Sequence, residues 1–219
     1  MGQKLTCISA DTAHCSDPDH IQRGVVRFKK AAESGFIEGS MERYGGGAIE
    51  VCDYDPHWPV LFDQECSRLR LVVGPALKIE HMGSTSVPGL SAKPIIDILI
   101  GVPNLFRAKS TFVRPFAQLG YSYIPEYEAW LPGELFFRKG MPGPWTHHLH
   151  VMEQCNPRWN DFLLFRDYLR LHPEIAAAYG SLKKSLAAEF GEDIEGFRKA
   201  KHRFAKEITD QTLSAFGKQ

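Results

Sequence analysis

The sequence predicts an α+β fold, in which a mixed β-sheet is flanked by helices and followed by a helical C-terminal segment. Two observations support this prediction. Short segments with strand patterning alternate with helical segments in the middle of the chain, and the residues from Asn156 onward have helical spacing. The composition, 43% hydrophobic and 24% charged over 219 residues, is typical of a globular protein and excludes disordered, collagen-like and coiled-coil proteins.

The chain is expected to divide near a glycine triplet. Residues 1–46 contain scattered polar residues and one helix-like run at 21–34, and they lead into Gly45-Gly46-Gly47, which is typical of a flexible joint. We therefore predict an N-terminal extension with one helix over residues 1–46 and a single folded domain over residues 47–219.

The first part of the domain is predicted to contain most of the strands. Asp55 and Pro56 mark the start of a helix, as N-cap and first helical residue. The apolar run at 95–102 is typical of a buried strand. The predicted strands cover residues 48–53, 76–81, 95–102, 120–124, 134–139 and 146–152, and a second helix covers 104–119.

Three helices are predicted after Asn156. The first contains Trp159, the second runs from Pro173 to its end at Gly191, and the third covers about residues 193–215. Their basic residues alternate with acids, which favours solvated helix surfaces over a track for a nucleic-acid backbone. These basic residues include Arg158, Arg166, Arg170, Lys183, Lys184, Lys199, Lys201 and Arg203.

Charge and cysteine content limit the possible environments and partners. The 26 basic and 26 acidic residues cancel, so the chain as a whole has no electrostatic attraction to nucleic acid or to a membrane, and any basic site is local. No secretion signal or apolar run of about 18 residues is visible, so no membrane span is expected. The five scattered cysteines indicate reduced thiols and a cytoplasmic location, and no obligate protein partner is evident.

The segment between the predicted strands at 76–81 and 95–102 has the composition of a ligand-binding turn. Gly83 lets backbone amides approach a ligand closely, and the hydroxyls of Ser84, Thr85 and Ser86 add hydrogen-bonding groups. Lys93 adds a positive charge nearby. The turn therefore predicts a phosphate site, although an unoccupied surface loop explains the same composition.

Asp97 is the most informative single residue. It interrupts an apolar strand, with Ile96 and Ile98 on the opposite face. An unpaired carboxylate at such a position costs several kcal/mol, so Asp97 must meet a cation, a metal, hydrogen-bond donors or a cleft. The structural alternative is a salt bridge to a basic residue such as Lys93.

The predicted strand at 146–152 carries histidines that suit proton transfer or metal binding. Strand alternation places His148 and His150 on one face and His147 on the other. Arg138 and Lys139, on the preceding strand, are candidates for neutralising an anionic substrate. We expect one cleft formed by Ser84, Lys93, Asp97, Lys139, His148 and His150, whereas ordinary histidines on an edge strand are the alternative.

These segments, in this order, resemble the GrpB (UPF0157) family, which lies within the nucleotidyltransferase superfold. The signature of the superfold is Gly-Ser, a spacer and Asp-x-Asp, and here Gly83-Ser84 and Asp97 match, whereas Leu99 occupies the place of the second acid. GrpB proteins also lack that acid. The matching segments are residues 54–59, 81–97, 137–139, 146–151 and 165–170, continuing to 182–183.

The resemblance implies a nucleotidyltransferase-like fold and a group-transfer enzyme that acts on a nucleotide or on the 3′ end of tRNA. In that reading Asp97 binds a metal or polarises an acceptor hydroxyl, and His148 or His150 moves a proton. Mg²⁺ is the metal that the superfold implies, but Asp97 alone supports at most one weak site because a two-metal mechanism needs several carboxylates.

Two alternatives remain open from the sequence. The family resemblance also allows an aminoacyl-tRNA-dependent, arginine-containing cyclodipeptide synthase, in which an acid grips the arginyl guanidinium and a histidine deprotonates the attacking amine. The other alternative is a nucleotide- or RNA-binding protein without catalytic activity, which the single acid motivates.

Overall fold

The computed structural model describes residues 49–140, 144–193, 196, 197, 199–201 and 203. The predicted N-terminal extension, its helix and its glycine joint lie outside these residues. The helices are α1 (Trp58–Val73), α2 (Leu105–Gln118), α3 (Glu126–Trp130), α4 (Pro157–Leu171) and α5 (Pro173–Phe190). The strands are β1 (Lys78–Met82), β2 (Ile96–Val102), β3 (Tyr121–Tyr123), β4 (Glu134–Lys139) and β5 (His147–Glu153). None of the described helices combines the length and the apolar character needed to cross a bilayer.

The five strands form one mixed sheet in the order β1-β2-β5-β4-β3. The central pair, β2 and β5, is parallel, and the other neighbours are antiparallel. Asp97 of β2 lies opposite His148 of β5, and Leu99 lies opposite His150. The predicted α+β class is confirmed, and this register brings the chemically distinctive residues of two segments side by side.

One face of the sheet carries the main hydrophobic core. Ile96, Ile98 and Ile100 of β2 and Leu149 and Val151 of β5 point into it, as the alternation predicted. Helices α1 and α2 cover this face through a second set of apolar side chains, which includes Trp58, Phe62, Cys66, Leu69, Ala108 and Phe116. The odd-numbered residues of β2, Asp97 among them, therefore face the other side.

The C-terminal helices pack near the other side of the sheet and over the loop that precedes β2. Val87 and Leu90 of the loop pack against Leu169 of α4 and Tyr179 of α5. Asn156 caps α4 by accepting a hydrogen bond from the Arg158 amide at 3.0 Å, and Gly191 ends α5 with a φ of 56°. This arrangement brings α5 close to the Ser84 turn.

Several predicted boundaries need correction. Residues 49–53 form no strand, because only an isolated bridge joins Cys52 to Ala92. Helix α1 begins at Trp58, three residues after Asp55, because the Asp55 carboxylate accepts a hydrogen bond from the His57 amide in a turn that precedes the helix. Helix α3 was not predicted, since five residues are too short for a periodic signal.

Other predicted elements agree with the structure. The bounds of β4 match the prediction, and α2 begins at Leu105 after Asn104, which accepts a hydrogen bond from the Arg107 amide. Of the third C-terminal helix, the structure describes helical residues at 196, 197, 199–201 and 203, and the rest of that prediction lies outside them. Cys52, Cys66 and Cys155 form no disulfide within the described residues, and Cys7 and Cys15 lie outside them, so the predicted reduced state stays a prediction.

Candidate functional site

The turn after β1 is a compact, internally hydrogen-bonded structure. Residues Ser84–Ser86 form one turn of 3₁₀ helix, and the Ser86 hydroxyl donates to the Gly83 carbonyl at 2.6 Å. The Thr85 hydroxyl donates to the Ile95 carbonyl at 3.2 Å, which ties the turn to the start of β2. The hydroxyls of Thr85 and Ser86 therefore hold the turn together, and Ser84 and Thr85 line the pocket.

Gly83 is required where the turn passes the sheet. Its φ of 70° and ψ of −172° lie in a region that side-chain-bearing residues rarely adopt. A Cβ atom at this position would also collide with the Asp97 carboxylate. The glycine therefore allows the backbone of the turn to approach Asp97 closely, whereas the close approach of its amides to a ligand stays a prediction.

Asp97 and His148 form a hydrogen-bonded pair across the parallel strands. His148 Nδ1 lies 3.2 Å from Asp97 Oδ1. The Asp97 side chain is 27% exposed, whereas that of His148 is 4% exposed. The described partner of Asp97 is thus a histidine, and its carboxylate reaches the surface of a pocket.

Burial and hydrogen bonding set the charge states of this pair. Burial is the largest single influence and would raise the pKa of Asp97, but the hydrogen bond from His148 and the electrostatic attraction of the surrounding histidines together outweigh it, so the pKa lies below its ordinary value. Burial lowers the pKa of His148, and the positive charge of Arg138 acts in the same direction. Near pH 7 the pair is therefore an ionised carboxylate and a neutral imidazole that donates Nδ1–H to it.

His150 is held in a second, deeper cluster. Its Nδ1 contacts Glu134 Oε1, and Glu134 Oε2 lies 2.7 Å from the NH1 atom of Arg158. Glu134 is fully buried, and the side chains of His150 and Arg158 are no more than 10% exposed. Burying a carboxylate is costly without such partners, so Arg158 and His150 together stabilise its charged form.

A cavity of about 80 Å³ opens over Asp97 and His148. The Ser84 turn forms one wall, and α5 contributes Lys183, whose Nζ donates to Ser84 Oγ at 2.8 Å. Lys93 and Lys201 lie on the side of Phe197, with Lys93 Nζ 5.3 Å from its ring centroid. Among the lining residues, three lysines thus accompany a single acid, which makes the cavity suited to an anion.

The structure separates the two basic residues predicted on β4. Arg138 lies opposite His148 and is buried between the rings of Phe136 and Trp145, at 5.4 and 5.5 Å from their centroids. Lys139 lies on the opposite face, where its Nζ pairs with Glu65 at 2.6 Å. The prediction that Lys139 belongs to the cleft is therefore wrong, because consecutive strand residues point to opposite faces.

Sequence reasoning missed Lys183, which it placed among solvated basic residues. Lys183 is 4% exposed and lies with Tyr179 and Leu186 on the buried stripe of α5. A lysine at a spacing of three or four residues from apolar positions was the available signal, because that spacing places it on the buried face. Sequence reasoning also missed Arg170, whose side chain is 39% exposed but whose guanidinium donates twice to the Ser86 carbonyl, at 3.0 and 2.8 Å.

Asp97, His148 and His150 together form a set of metal donors. One oxygen of Asp97 and one ring nitrogen of each histidine lie within 4.8 Å of one another. Two imidazole donors and one carboxylate do not fit Mg²⁺, which is bound by oxygen ligands and water. We therefore assign no step of the reaction to Mg²⁺.

A family model, curated relatives and a solved structure place this chain in one family. A family model described as GrpB protein matches residues 48–211. The UPF0157 protein YqkA of Bacillus subtilis is 41% identical over 93% of this chain, which spans 59% of that protein's length. A UPF0157 protein of Pseudomonas aeruginosa is 41% identical over 76% of this chain and 69% of its own. The crystal structure of the conserved protein GrpB from Enterococcus faecalis superposes with a TM-score of 0.68 at 37% identity, over 76% of this chain and 99% of that one.

Proposed function

Since this chain belongs to the GrpB protein family, whose fold is nucleotidyltransferase-like, we propose that it is a group-transfer enzyme that acts on a phosphate-bearing nucleotide. One observation carries the proposal. The Ser84 turn, three lysines and the Asp97–His148 pair meet at a single cavity, so an anion bound there lies next to a carboxylate that can act on it.

The cavity has the charge and the hydrogen-bonding groups that a phosphate needs. Lys183 is buried and already hydrogen-bonded to Ser84, so its ammonium group is held in place before a ligand arrives. Lys93 and Lys201 add positive charge from a second side. Charge-assisted hydrogen bonds to phosphate are about twice as strong as neutral ones, and a cavity of about 80 Å³ has room for such a group.

Asp97 is the residue that we assign to the chemical step. Its ionised carboxylate can accept a hydrogen bond from an acceptor hydroxyl and orient that hydroxyl toward the phosphate. His148 holds the carboxylate in position through its Nδ1–H. We assign no proton transfer to His150, because its Nδ1 contacts Glu134 and its side chain is only 7% exposed.

The charge of the cavity favours a phosphate over an arginyl group. A guanidinium would enter beside Lys93, Lys183 and Lys201, and each would repel it, so the cyclodipeptide synthase hypothesis gains no support from this site. The transfer assay described below distinguishes a free nucleotide from the 3′ end of tRNA as the substrate. A protein that binds nucleotide without converting it is the remaining alternative.

Two adjacent lysines of α5 give a matched binding test. Lys183→Met removes a buried ammonium group from the cavity, whereas Lys184→Met removes an exposed one that pairs with Asp53 at 2.5 Å. We expect Lys183→Met to weaken nucleoside triphosphate binding by about tenfold or more, because a hydrogen bond to a charged group contributes about 1.5–3 kcal/mol. Lys184→Met should stay within about twofold, and both affinities are measured by titration calorimetry.

A transfer assay then separates an enzyme from a binding protein. The protein is incubated with each labelled nucleoside triphosphate, with and without total tRNA, and Asp97→Asn should abolish label transfer while nucleotide binding persists. Equal loss of binding in the two lysine variants would contradict the cavity as the binding site. Binding with no product from any nucleotide would contradict the enzymatic proposal.

A further inference from the structure

Two residues that line the cavity, Asp97 and His148, form with the buried His150 a donor set that differs from the one the superfold implies. Asp97, His148 and His150 come from two neighbouring parallel strands and lie on the same face of the sheet. We propose that these three residues bind one divalent transition-metal ion of the class that favours imidazole ligands, such as Zn²⁺ or Co²⁺. This inference deepens the proposed function and rests on the same site, but it has its own test.

The positions of the donors are set by backbone register. Asp97 lies directly opposite His148, and His150 follows two residues later on the same face. Their donor atoms lie within 4.8 Å of one another, while donors around a metal at about 2.0–2.2 Å are roughly 3 to 3.5 Å apart. Small side-chain rotations therefore suffice to bring the three donors onto one ion.

The environment of His150 is the second and independent observation. Its Nδ1 contacts the buried carboxylate of Glu134, which Arg158 holds from the other side at 2.7 Å. Histidines that bind metals through one ring nitrogen usually donate the other N–H to a carboxylate, which fixes the tautomer and the ring orientation. Here that contact leaves Nε2 of His150 as the nitrogen that can bind the ion.

The donor chemistry selects the class of metal. Imidazole nitrogen suits Zn²⁺, Co²⁺ and similar ions, whereas Mg²⁺ requires oxygen ligands in near-octahedral geometry. Two histidines and one carboxylate also leave coordination positions open, as in catalytic rather than structural sites. Asp97 and His148 line the cavity, so an open position would face the anion held near Lys183.

The test uses the whole 219-residue chain without a histidine tag, stripped of metal by a chelator and titrated with Co²⁺. We expect a visible absorption spectrum typical of nitrogen and oxygen ligands, displacement of Co²⁺ by Zn²⁺, and no competition by Mg²⁺. His148→Gln and His150→Gln should each weaken Co²⁺ binding by about tenfold or more. His147→Gln should bind normally, because the structure places this neighbouring histidine on the opposite face of β5.

Several outcomes would overturn the proposal. These are a wild-type protein that yields no Co²⁺ spectrum, an equal loss of binding in His147→Gln, or a strong thiolate-to-cobalt band, which would place the ion on cysteines. Circular dichroism checks that each variant folds. If both histidine variants fail to fold, the isosteric Asp97→Asn decides, since it must also lose the visible spectrum.

The same experiment separates this inference from the proposed function. Nucleotide binding to wild type and Lys183→Met is measured in the presence of chelator, and Co²⁺ binding is measured in the absence of nucleotide. If Lys183→Met loses nucleotide affinity and the wild-type protein binds no metal, the metal site is wrong and the cavity is still supported as an anion site. If the protein binds metal but no nucleotide, the metal site is supported and the proposed function is wrong.

Discussion

His81 shows how burial decides the chemistry of a single side chain. Its ring stacks on Phe62 with centroids 4.6 Å apart, and its Nε2 lies 3.1 Å from the Thr85 hydroxyl. Burial lowers the pKa of His81 to about 3, and Arg166 and Arg170 act in the same direction, although Asp97 opposes them. The residue is therefore a neutral part of the core beside the turn and is not a candidate for proton transfer.

This pKa predicts an acid-sensitive contribution to stability. The unfolded state binds a proton at His81 near pH 6.5, whereas the folded state binds it only near pH 3, so the free energy of unfolding falls as the pH decreases through that window. The slope is up to about 1.4 kcal/mol per pH unit for this one proton. His81→Gln should lose that slope between pH 6 and 4.5 in denaturant titrations, although it is less stable at pH 7.

Exposed His57 provides the control for this prediction. Its side chain is 79% exposed and pairs with Asp55 on the surface. The slope of unfolding free energy against pH in His57→Gln should match that of wild type. An unchanged slope in His81→Gln would show that His81 is not the group responsible.

At the scale of elements, the turn between β1 and β2 depends on the conformation of Gly83. The turn is braced by its own hydroxyls and by Arg170, whose guanidinium donates to the Ser86 carbonyl. Gly83 brings this braced turn against Asp97. The site therefore depends on a backbone position as much as on side chains.

Alanine substitutions at two glycines of this segment separate two costs to stability, that of steric contact with Asp97 and that of the backbone conformation. Gly83 and Gly89 both have positive φ, 70° and 79°, but only at Gly83 would a Cβ atom meet a neighbour within 4 Å. Gly89→Ala should lower the free energy of unfolding by about 1–2 kcal/mol, the cost of the conformation alone. Gly83→Ala should cost at least about 1 kcal/mol more, because the Asp97 carboxylate must move.

Urea denaturation of both variants measures this difference. Equal destabilisation would show that the turn can relax away from Asp97, and the account of Gly83 would then be wrong. The Co²⁺ titration of Gly83→Ala adds a second readout, since displacement of Asp97 should weaken metal binding, whereas Gly89→Ala should leave it unchanged.

At the scale of the whole molecule, the largely buried guanidinium of Arg166 attaches the C-terminal helix α4 to the sheet. Arg166 of α4 pairs with Glu80 at 2.9 Å and donates to the His81 carbonyl at 3.0 Å, both on β1. It also forms two contacts with Asp167, at 2.7 and 3.1 Å. This network orients α4, and α5 follows it with Lys183.

Removal of this attachment should be far more costly than removal of a surface ion pair. Arg166→Met removes the partner of Glu80 and leaves Asp167 with the more distant Arg170 at 3.4 Å, so it should destabilise the protein by about 2–4 kcal/mol. Arg68→Met, which breaks a pair with Glu65 from a side chain that is 62% exposed, should cost less than about 1 kcal/mol. Chemical denaturation measures both, and a similar cost for the two would contradict the role given to Arg166.

Much of this molecule could be predicted from local patterns. The α+β class, the bounds of β4 and the faces of Asp97, His148 and His150 follow from apolar runs and from strand alternation, which are properties of the chain itself. The GrpB resemblance, based on ordered segments, is also confirmed. The secondary-structure predictions that failed were at short segments, since a five-residue helix and a bridge of one residue pair carry no periodic signal.

Strand alternation and helical spacing in the sequence thus determined which segments form strands and helices and which side chains share a face. Tertiary structure alone decided that β2 lies beside β5, which brings Asp97 to His148 across a separation of 51 residues. It also decided that α5 packs on the turn, which brings Lys183 to Ser84 across a separation of 99 residues. The physical reason is that propensity and periodicity act over a few residues. The pairing of distant segments, in contrast, depends on how all the apolar faces can be buried at once.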